Sequence, residues 1–278
     1  MRSLEIFRKY DIVLCDIDGV LHLGREGIQG VPALLEAVEP DGPRIYFITN
    51  NGTALPEQIT RWLAQIGLEI PTERLITAGE VLVEELARSA LVGQPLLSIG
   101  NEPAAEYIRR AGGLVIADSE ARKRYAQAKA VVIGSSRQLN KEVLDAACNA
   151  VYRNQVPVIC TNPDVFTPTG HGEITLVAGA LANLFERELG VEVRRLGKPY
   201  RPIFELAIKR VQQQRQIESP RVLVVDDNVE SGIRGGVDMG YDTLLVLSGW
   251  HRSRDEAEKV MEQSEIHPTY ILDSIVSR

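Results

Sequence analysis

The chain has 278 residues, of which 44% are hydrophobic and 25% are charged, and its formal net charge is -7. This composition is that of an ordinary globular protein and excludes a disordered or fibrous chain. The length predicts two domains. The negative net charge argues against nucleic-acid binding as the main function, because binding to phosphates along a nucleic acid requires a basic surface.

The spacing of the cysteines and the composition of the N-terminus indicate the cellular compartment of the protein. The chain has three cysteines, Cys15, Cys148 and Cys160, and no CxxC pair. An odd number without paired spacing is not a disulfide framework, so we expect a reducing, cytoplasmic environment. No stretch approaches the roughly 18 consecutive apolar residues of a membrane-spanning helix. The N-terminus also lacks the apolar segment of a signal peptide. We therefore expect a protein that neither binds a membrane nor is exported.

Short apolar runs alternate along the chain with amphipathic stretches. The runs are nearly continuous in apolar residues, which is typical of parallel strands that are buried on both faces. In chain order the predicted strands are Ile12–Cys15, Ile45–Ile48, Leu96–Ile99, Val131–Ile133, Val156–Cys160, Val222–Val225 and Thr243–Leu247.

The amphipathic stretches predict the helices of an α/β fold. Pro56 and Pro202 lie near helix starts, and Gly67, Gly112 and Gly190 follow helix ends, as is usual for these residue types. Strands that alternate with helices form a parallel sheet covered by helices. The predicted helices are Pro56–Gln65, Glu80–Arg88, Glu102–Arg110, Lys141–Arg153, Gly179–Leu189 and Arg201–Gln213.

Polar groups follow several of these apolar runs, at the carboxyl ends of strands where ligands bind in open α/β sheets. Any one of them is also explained by turn formation or helix capping. Their joint occurrence in one order is harder to explain in that way. The groups are Asp16 with Asp18, Thr49-Asn50-Asn51, Gly197-Lys198-Pro199 and Asp226-Asp227.

These residue types meet the requirements of phosphoryl transfer through an aspartate. A carboxylate attacks phosphorus while a divalent cation holds it beside the negatively charged phosphate. A second acid protonates the leaving alkoxide and then activates water. A hydroxyl and an ammonium neutralise charge on the phosphoryl oxygens. Asp16, Asp18, Thr49, Lys198 and Asp227 are the side chains that this chemistry needs.

The same motifs resemble those of the haloacid dehalogenase (HAD) superfamily of phosphohydrolases, whose first motif is a strand followed by DxD. Here that motif is Asp16-Ile17-Asp18-Gly19-Val20-Leu21. Thr49-Asn50-Asn51, Thr161-Asn162-Pro163-Asp164 and Gly197-Lys198-Pro199 are similar to the NagD-type, class IIA branch, which includes 4-nitrophenyl phosphatase-like and nucleotide phosphatase-like members. The resemblance covers nearly the whole chain.

The resemblance implies a phosphatase that hydrolyses a phosphomonoester through an aspartyl-phosphate. Asp16 would be the nucleophile, Asp18 the general acid and base, and Lys198 the bridge between phosphate and nucleophile. The implied cofactor is Mg²⁺, a hard cation that prefers oxygen ligands. Its ligands would be Asp16, Asp227 and Asp18, the last through its backbone carbonyl.

The resemblance also implies how phosphate and substrate are bound. Thr49 and Asn50 would bind phosphate together with backbone amides after Asp16, and Asp164 would face the substrate from a loop of the second domain. The full set of substrate- and phosphate-binding candidates is Gly19, Thr49, Asn50, Asn51 and Asp164.

The stretch between Thr49 and Lys198 is far longer than one βαβ crossover needs. We therefore predict a Rossmann-like, doubly wound parallel-sheet core with an inserted α/β cap domain of the class II type. The predicted boundaries are 1–80 for the first part of the core, 81–180 for the cap and 181–278 for the second part of the core. Such a cap closes over a site and excludes water.

The fourth motif departs from the family pattern. The family usually has Gly-Asp followed by a further acid five residues on, whereas this chain has Asp226 in place of the glycine and Gly232 in place of the acid. The sequence leaves open whether Asp226 or Glu230 supplies the missing carboxylate. We expect metal binding to survive, with one of these two residues in the outer shell.

Several alternatives remain open from the sequence. The altered motif also fits a catalytically weak, HAD-fold binding or regulatory protein, and a phosphotransferase would use the same Asp16 chemistry. A receiver domain is disfavoured because receivers are compact single domains, and a dinucleotide-binding fold lacks its GxGxxG turn. The expected partner is a small phosphoester and not a nucleic acid. Because caps of this type often contribute to dimer contacts, a homodimer is also considered. The sequence does not select among nucleotides, sugar phosphates and other small phosphorylated metabolites.

Overall fold

A computed structural model describes residues 2–38, 44–136, 139–170, 173–214, 217–251 and 253–276. The chain divides into two compact units. The first comprises Met1–Thr49, Pro56–Ile76 and Lys198–Arg278, and the second comprises Asn50–Leu55 and Thr77–Gly197. The second unit is therefore an insertion in the chain of the first.

The helices and strands alternate over most of the chain. The strands are β1 (Ile12–Cys15), β2 (His22–Leu23), β3 (Glu26–Gly27), β4 (Arg44–Thr49), β5 (Leu75–Thr77), β6 (Pro95–Ile99), β7 (Leu114–Ile116), β8 (Ala130–Ile133), β9 (Val158–Cys160), β10 (Phe166–Gly170), β11 (Glu173–Leu176), β12 (Val193–Arg195), β13 (Val222–Asp226), β14 (Asp242–Val246) and β15 (Tyr270–Leu272). The α-helices are α1 (Arg2–Phe7), α2 (Val31–Val38), α3 (Pro56–Gln65), α4 (Ala78–Ala87), α5 (Glu102–Arg110), α6 (Ala121–Arg124), α7 (Lys141–Asn154), α8 (Ala178–Leu189), α9 (Arg201–Gln214), α10 (Arg234–Asp238) and α11 (Arg254–Ser264). A π-helix over Val229–Ile233 precedes α10, and 3₁₀ turns lie at Thr72–Arg74, Asp118–Glu120 and Tyr125–Gln127.

The first unit is built on a six-stranded sheet of order β15-β14-β13-β1-β4-β5. Strand β1 pairs in parallel with β13 on one side and with β4 on the other, so that Cys15 lies opposite Val225 and Phe47. All four residues of β1 are buried, as the unbroken apolar run predicts. The carboxyl ends of β13, β1 and β4 therefore meet at one edge of the sheet.

The second unit is built on a five-stranded sheet of order β12-β9-β8-β6-β7, in which every neighbouring pair is parallel. Its core includes apolar residues of β8 and β9 packed with residues of α7 and α8, among them Val131, Val151 and Phe185. An antiparallel hairpin of β10 and β11 is also formed. Parallel sheets with flanking helices in both units are the α/β fold that the sequence predicts.

The boundary of the second unit differs from the one expected at residue 180. Helix α8 and strand β12 both belong to the second unit. The physical reason is strand pairing, because β12 pairs with β9 at the edge of the second sheet. The start also differs from the predicted residue 81, because the second unit includes Asn50–Leu55 and then begins again at Thr77, which caps α4 through a capping box with Glu80.

The three cysteines are free, and Cys15 and Cys160 are buried. Burial raises the pKa of the Cys160 thiol to about 12, so this group is a thiol rather than a thiolate at neutral pH. Among the residues that the structure describes, no helix combines the length and the apolar character required to cross a membrane.

Candidate active site

The polar groups predicted at strand ends lie along one edge of the first sheet. Asp16 directly follows β1, and its backbone N–H donates to the carbonyl of Val225 at 2.8 Å. Thr49 is the last residue of β4, and Asp226 is the last residue of β13. All three polar side chains belong to buried residues. Parallel pairing therefore places them at the edge where ligands bind in such sheets.

Lys198 joins two of these carboxylates. Its Nζ lies 2.5 Å from Asp16 Oδ1 and 2.7 Å from Asp226 Oδ2. The lysine is only 3% exposed, so both ion pairs are shielded from water. A buried, charge-assisted contact of this kind fixes the direction of both partners. The ammonium therefore holds the Asp16 carboxylate in one orientation.

Asp227 completes a cluster of three buried carboxylates. One carboxylate oxygen from each of Asp16, Asp226 and Asp227 lies within 4.8 Å of the others. The backbone N–H of Trp250 donates to Asp227 Oδ2 at 2.6 Å. Carboxylate oxygens gathered at this spacing are the ligand type that a hard divalent cation prefers. The donor set thus fits such a cation.

Among the described residues, the charges of the three carboxylates in this cluster exceed the single positive charge of Lys198 that pairs with them. Burial raises the pKa of Asp16 although Lys198 opposes the rise, and burial with the Asp226 charge raises the pKa of Asp227. Burial disfavours the ammonium of Lys198, but the carboxylates of Asp16 and Asp226 outweigh it and raise its pKa. In the described part of the site, one ammonium contacts a cluster of three carboxylates, and a bound cation would relieve the excess negative charge.

The structure distinguishes the two acids that the altered fourth motif left open. The Asp226 carboxylate lies in the cluster, and the residue is 0% exposed. Glu230 has a side chain that is 65% exposed and lies 3.6 Å from Arg234. The sequence leads us to expect Asp226 or Glu230 in the outer shell of the metal. Instead, Asp226 is one of the three clustered carboxylates, and Glu230 is an exposed residue.

Asp18 lies apart from this carboxylate cluster. Its side chain is 72% exposed, and its Oδ1 lies 3.5 Å from His22 Nε2. The next residue, Gly19, has φ = 81° in the left-handed region that favours glycine. The chain turns sharply here, which leaves the Asp18 carboxylate accessible to solvent while Asp16 is buried.

The remaining candidates belong to the second unit. The Asn50 side-chain amide donates to both carboxylate oxygens of Asp164, at 3.1 Å each. The side chain of Asn162 accepts the backbone N–H of Asp164 at 2.9 Å, as expected for an Asn-Pro-Asp turn. Asn51 Oδ1 accepts the N–H and the hydroxyl of Thr53. This engages the Asn51 oxygen in a local turn, a role that its sequence motif does not indicate.

Comparisons with known proteins agree with the motifs. A family model described as haloacid dehalogenase-like hydrolase matches residues 13–113, and a second, described as HAD-hydrolase-like, matches residues 195–277. Together the two matches cover more than half of the chain.

Similar proteins cover almost the full length. An acid sugar phosphatase from Staphylococcus aureus is 28% identical over 263 residues, which are 95% of this chain and 94% of that protein. A glycerol phosphate phosphatase from Mycobacterium tuberculosis in complex with magnesium is 25% identical, with a TM-score of 0.82 over 97% of this chain and 77% of that one. NagD from Escherichia coli K-12 is 24% identical and shares the fold, with a TM-score of 0.80 over 97% and 98% of the two chains. The chain therefore belongs to the haloacid dehalogenase-like hydrolases, and its fold is that of the NagD-like branch that its motifs predict.

Proposed function

We propose that the protein is a Mg²⁺-dependent phosphatase that hydrolyses a small phosphorylated metabolite through an aspartyl-phosphate on Asp16. The observation that carries the proposal is the buried Asp16 carboxylate, held 2.5 Å from Lys198 at the end of β1 and gathered with Asp226 and Asp227. A nucleophile must be held in one orientation, and a fixed cation must lie beside the oxygens that gain charge.

Asp16 attacks phosphorus in the first step, and its bond to phosphorus forms as the bond to the leaving alkoxide breaks. Lys198 stabilises the negative charge on the phosphoryl oxygens and on the nucleophile. Its contact with Asp226 Oδ2 keeps the ammonium in place while the charge on Asp16 changes. The two ion pairs of Lys198 support these roles, in which Asp16 is the nucleophile and Asp226 holds the lysine in place.

Asp18 protonates the leaving alkoxide and then takes a proton from the water that hydrolyses the aspartyl-phosphate. An acid and base of this kind must be accessible to substrate and water. The exposed side chain of Asp18 fits that requirement better than the buried carboxylates do. The Nε2 atom of the buried His22 lies 3.5 Å from Oδ1 of the same carboxylate.

The residues that would hold Mg²⁺ are Asp16, Asp227, the backbone carbonyl of Asp18 and, in this chain, Asp226. When bound, the cation offsets the repulsion between the carboxylates and the phosphate dianion. The magnesium complex of the similar glycerol phosphate phosphatase supports this choice of cation. The close approach of Asp226 to Asp16 also argues against the weak binding protein that the altered fourth motif suggested.

Phosphate binding falls to the turn at Gly19 and to Thr49, with Asn50 and Asn51 following Thr49 in the chain. The two carboxylate oxygens of Asp164 accept from the same Asn50 Nδ2, at 3.1 Å each. We propose that Asp164 acts in substrate binding by setting the direction of that amide. The inserted second unit would serve as the cap that excludes water during phosphoryl transfer.

The names of the relatives support a proposal for the substrate class. The similar proteins act on a sugar phosphate and on glycerol phosphate, as their names state. We propose that this protein also acts on a small polyol or sugar phosphate. A panel of such esters, with nucleotides for comparison, tests the class directly.

The nucleophile is tested with Asp16→Asn. We expect wild-type protein with Mg²⁺ to hydrolyse p-nitrophenyl phosphate and to be labelled stoichiometrically by beryllium fluoride, and we expect the variant to do neither. The matched control is Asp11→Asn, since Asp11 precedes the same strand and pairs with the exposed Arg221. Stoichiometric labelling of Asp16→Asn would refute the assignment. Transfer of phosphate to an acceptor other than water would instead identify a phosphotransferase.

A further inference from the structure

The segment that follows β14, Ser248–His251, touches two parts of the proposed catalytic site. Ser248 Oγ donates to the carbonyl oxygen of Gly19 at 2.6 Å. Two residues later, the Trp250 backbone N–H donates to Asp227 Oδ2, also at 2.6 Å. One short segment thereby holds the turn after Asp18 and the carboxylate of Asp227 together.

The Asp227 carboxylate is also enclosed by two glycines. A Cβ atom on Gly249 would lie 1.9 Å from Asp227 Oδ2 and 2.5 Å from the Cα of Gly19. A Cβ on Gly19 would likewise lie 1.9 Å from Asp227 Oδ2. Neither position has room for a side chain, so close backbone packing restricts the carboxylate to one orientation.

The end of the segment is anchored to the helical turn beyond Asp227. His251 is 4% exposed, and its Nε2 accepts the backbone N–H of Val229 at 3.3 Å. Only a neutral imidazole has such an acceptor nitrogen, and burial lowers the pKa of His251 in favour of that form. The segment is thus fixed at both ends.

We propose that Ser248–His251 is a positioning element for the cation site, which holds Asp227 Oδ2 by hydrogen bonding and packing and so presents Oδ1 as the ligand. This inference rests on the proposed function, because it assigns a role toward the cation of that site. In this role the segment acts through Asp227 and Gly19, which it contacts directly, and not as a ligand of the cation. Groups that orient metal ligands change metal affinity by about 10- to 100-fold when they are removed.

Metal binding without turnover tests the proposal. Mn²⁺, which accepts the same oxygen ligands as Mg²⁺, is titrated into metal-free protein, and the free ion is followed by its electron paramagnetic resonance signal. We expect Ser248→Ala and Gly249→Ala to bind Mn²⁺ about 10-fold more weakly than wild type. Ser248→Thr, which keeps a hydroxyl, should restore most of the affinity.

The matched control is Ser264→Ala. Ser264 Oγ also donates to a backbone carbonyl at 2.6 Å, that of Val260, but at the end of helix α11. We expect wild-type Mn²⁺ affinity from this variant. Melting temperatures of the metal-free proteins show whether any loss reflects unfolding, and Ser248→Ala, which only removes an oxygen, carries the test if Gly249→Ala does not fold.

Two outcomes separate this inference from the function on which it rests. If wild-type protein binds Mn²⁺ and folded Ser248→Ala binds it equally well, the positioning role is wrong and the proposed function stands. If wild-type protein binds no Mn²⁺, the proposed cation site itself is wrong, and the positioning role falls with it.

Discussion

The carboxylate of Asp226 fills the space into which a side chain at position 232 would project. A Cβ atom on Gly232 would lie 2.1 Å from Asp226 Oδ2 and 2.4 Å from its carboxyl carbon. We therefore interpret the two departures from the family's fourth motif, an acid at 226 and a glycine at 232, as one compensating change, because the room that Gly232 leaves is occupied by the Asp226 carboxylate. We expect that an acid at either position can occupy this space, whereas two side chains cannot.

This relationship predicts the behaviour of an exchange of the two residues. Asp226→Gly removes one of the two carboxylates that pair with Lys198, and Gly232→Asp creates a steric clash. Each single variant should therefore lose about 100-fold or more in kcat, the scale of losing one charge-stabilising group. The double variant Asp226→Gly/Gly232→Asp should recover most of that loss, because the acid returns to the same space from the other side. Steady-state hydrolysis of p-nitrophenyl phosphate at saturating Mg²⁺ measures the three variants. Additive losses in the double variant would contradict the exchange.

Lys198 gives a second prediction. Lys198→Met leaves Asp16 and Asp226 buried without the ammonium group that pairs with both. Removing one partner of a buried ion pair costs about 3–5 kcal/mol. We expect a lower free energy of unfolding in urea together with loss of turnover. Lys141→Met is the matched control, because Lys141 pairs with Asp145 at the surface, with side chains 83% and 57% exposed. An unchanged urea midpoint for Lys198→Met would show that the buried pairs contribute nothing to stability.

Asp164 gives a third prediction, which concerns substrate binding. Asp164→Ala frees the Asn50 amide from the carboxylate that orients it, and hydrogen bonds to charged groups contribute about 1.5–3 kcal/mol. We expect KM for p-nitrophenyl phosphate to rise about 10-fold or more, the equivalent of that loss, while kcat changes less. Asp145→Ala, in the exposed pair of the second unit, should leave KM unchanged. A fall in kcat at constant KM would instead assign Asp164 to the chemical step.

The fourth prediction concerns the pH dependence of stability in the second unit. Arg195 pairs with Glu186, whose carboxylate also accepts the Val193 N–H. The hydrogen bond from Arg195 lowers the pKa of Glu186. A carboxyl whose pKa is lower in the folded state stabilises the protein above its unfolded pKa, about 4.3 for glutamate, and this stabilisation is lost as the pH falls through the folded value.

We therefore expect Glu186→Gln to lower the free energy of unfolding in urea at neutral pH. The difference in unfolding free energy between this variant and wild type should shrink as the pH falls below the pKa of a free glutamate carboxyl. Glu188→Gln is the control, because Glu188 lies 3.4 Å from Arg187 with both side chains largely exposed. If the difference in unfolding free energy between Glu186→Gln and wild type stayed constant with pH, the ion pair with Arg195 would not be its cause.

Much of the fold is predictable because burial on both faces leaves a continuous apolar run. Strand β1 and helices α3 and α5 have the predicted bounds, and other predicted strands differ by one or two residues at an end. Strands β5, β7, β12 and β15 are missing from the prediction because each has three residues and lies at a sheet edge. Pairing to a neighbour, rather than a local apolar run, determines such short strands.

The site residues were predictable where a sequence motif specifies the residue type. They were not predictable where the backbone conformation determines the direction of a side chain. Asp16, Lys198 and Asp227 were candidates from the sequence, and the structure brings them together. Asp226 adjoins Asp227, and successive residues of a strand point to opposite faces. Because the strand ends between them, both carboxylates turn toward Asp16, which residue spacing alone does not reveal. Nothing in the sequence marks Ser248 as a hydrogen-bond donor to Gly19.

The pairing of β1 with β13 also constrains the order in which the protein folds. Ile12 lies opposite Val222 in this pair, whereas the strands of the second sheet all lie within one continuous stretch of chain, from Pro95 to Arg195. Contacts that are distant in sequence form more slowly than local ones, and domains fold as units during synthesis. We expect the second unit to be complete on the ribosome before β13 emerges. A nascent chain that has not reached Val222 therefore carries the nucleophile without its surrounding site.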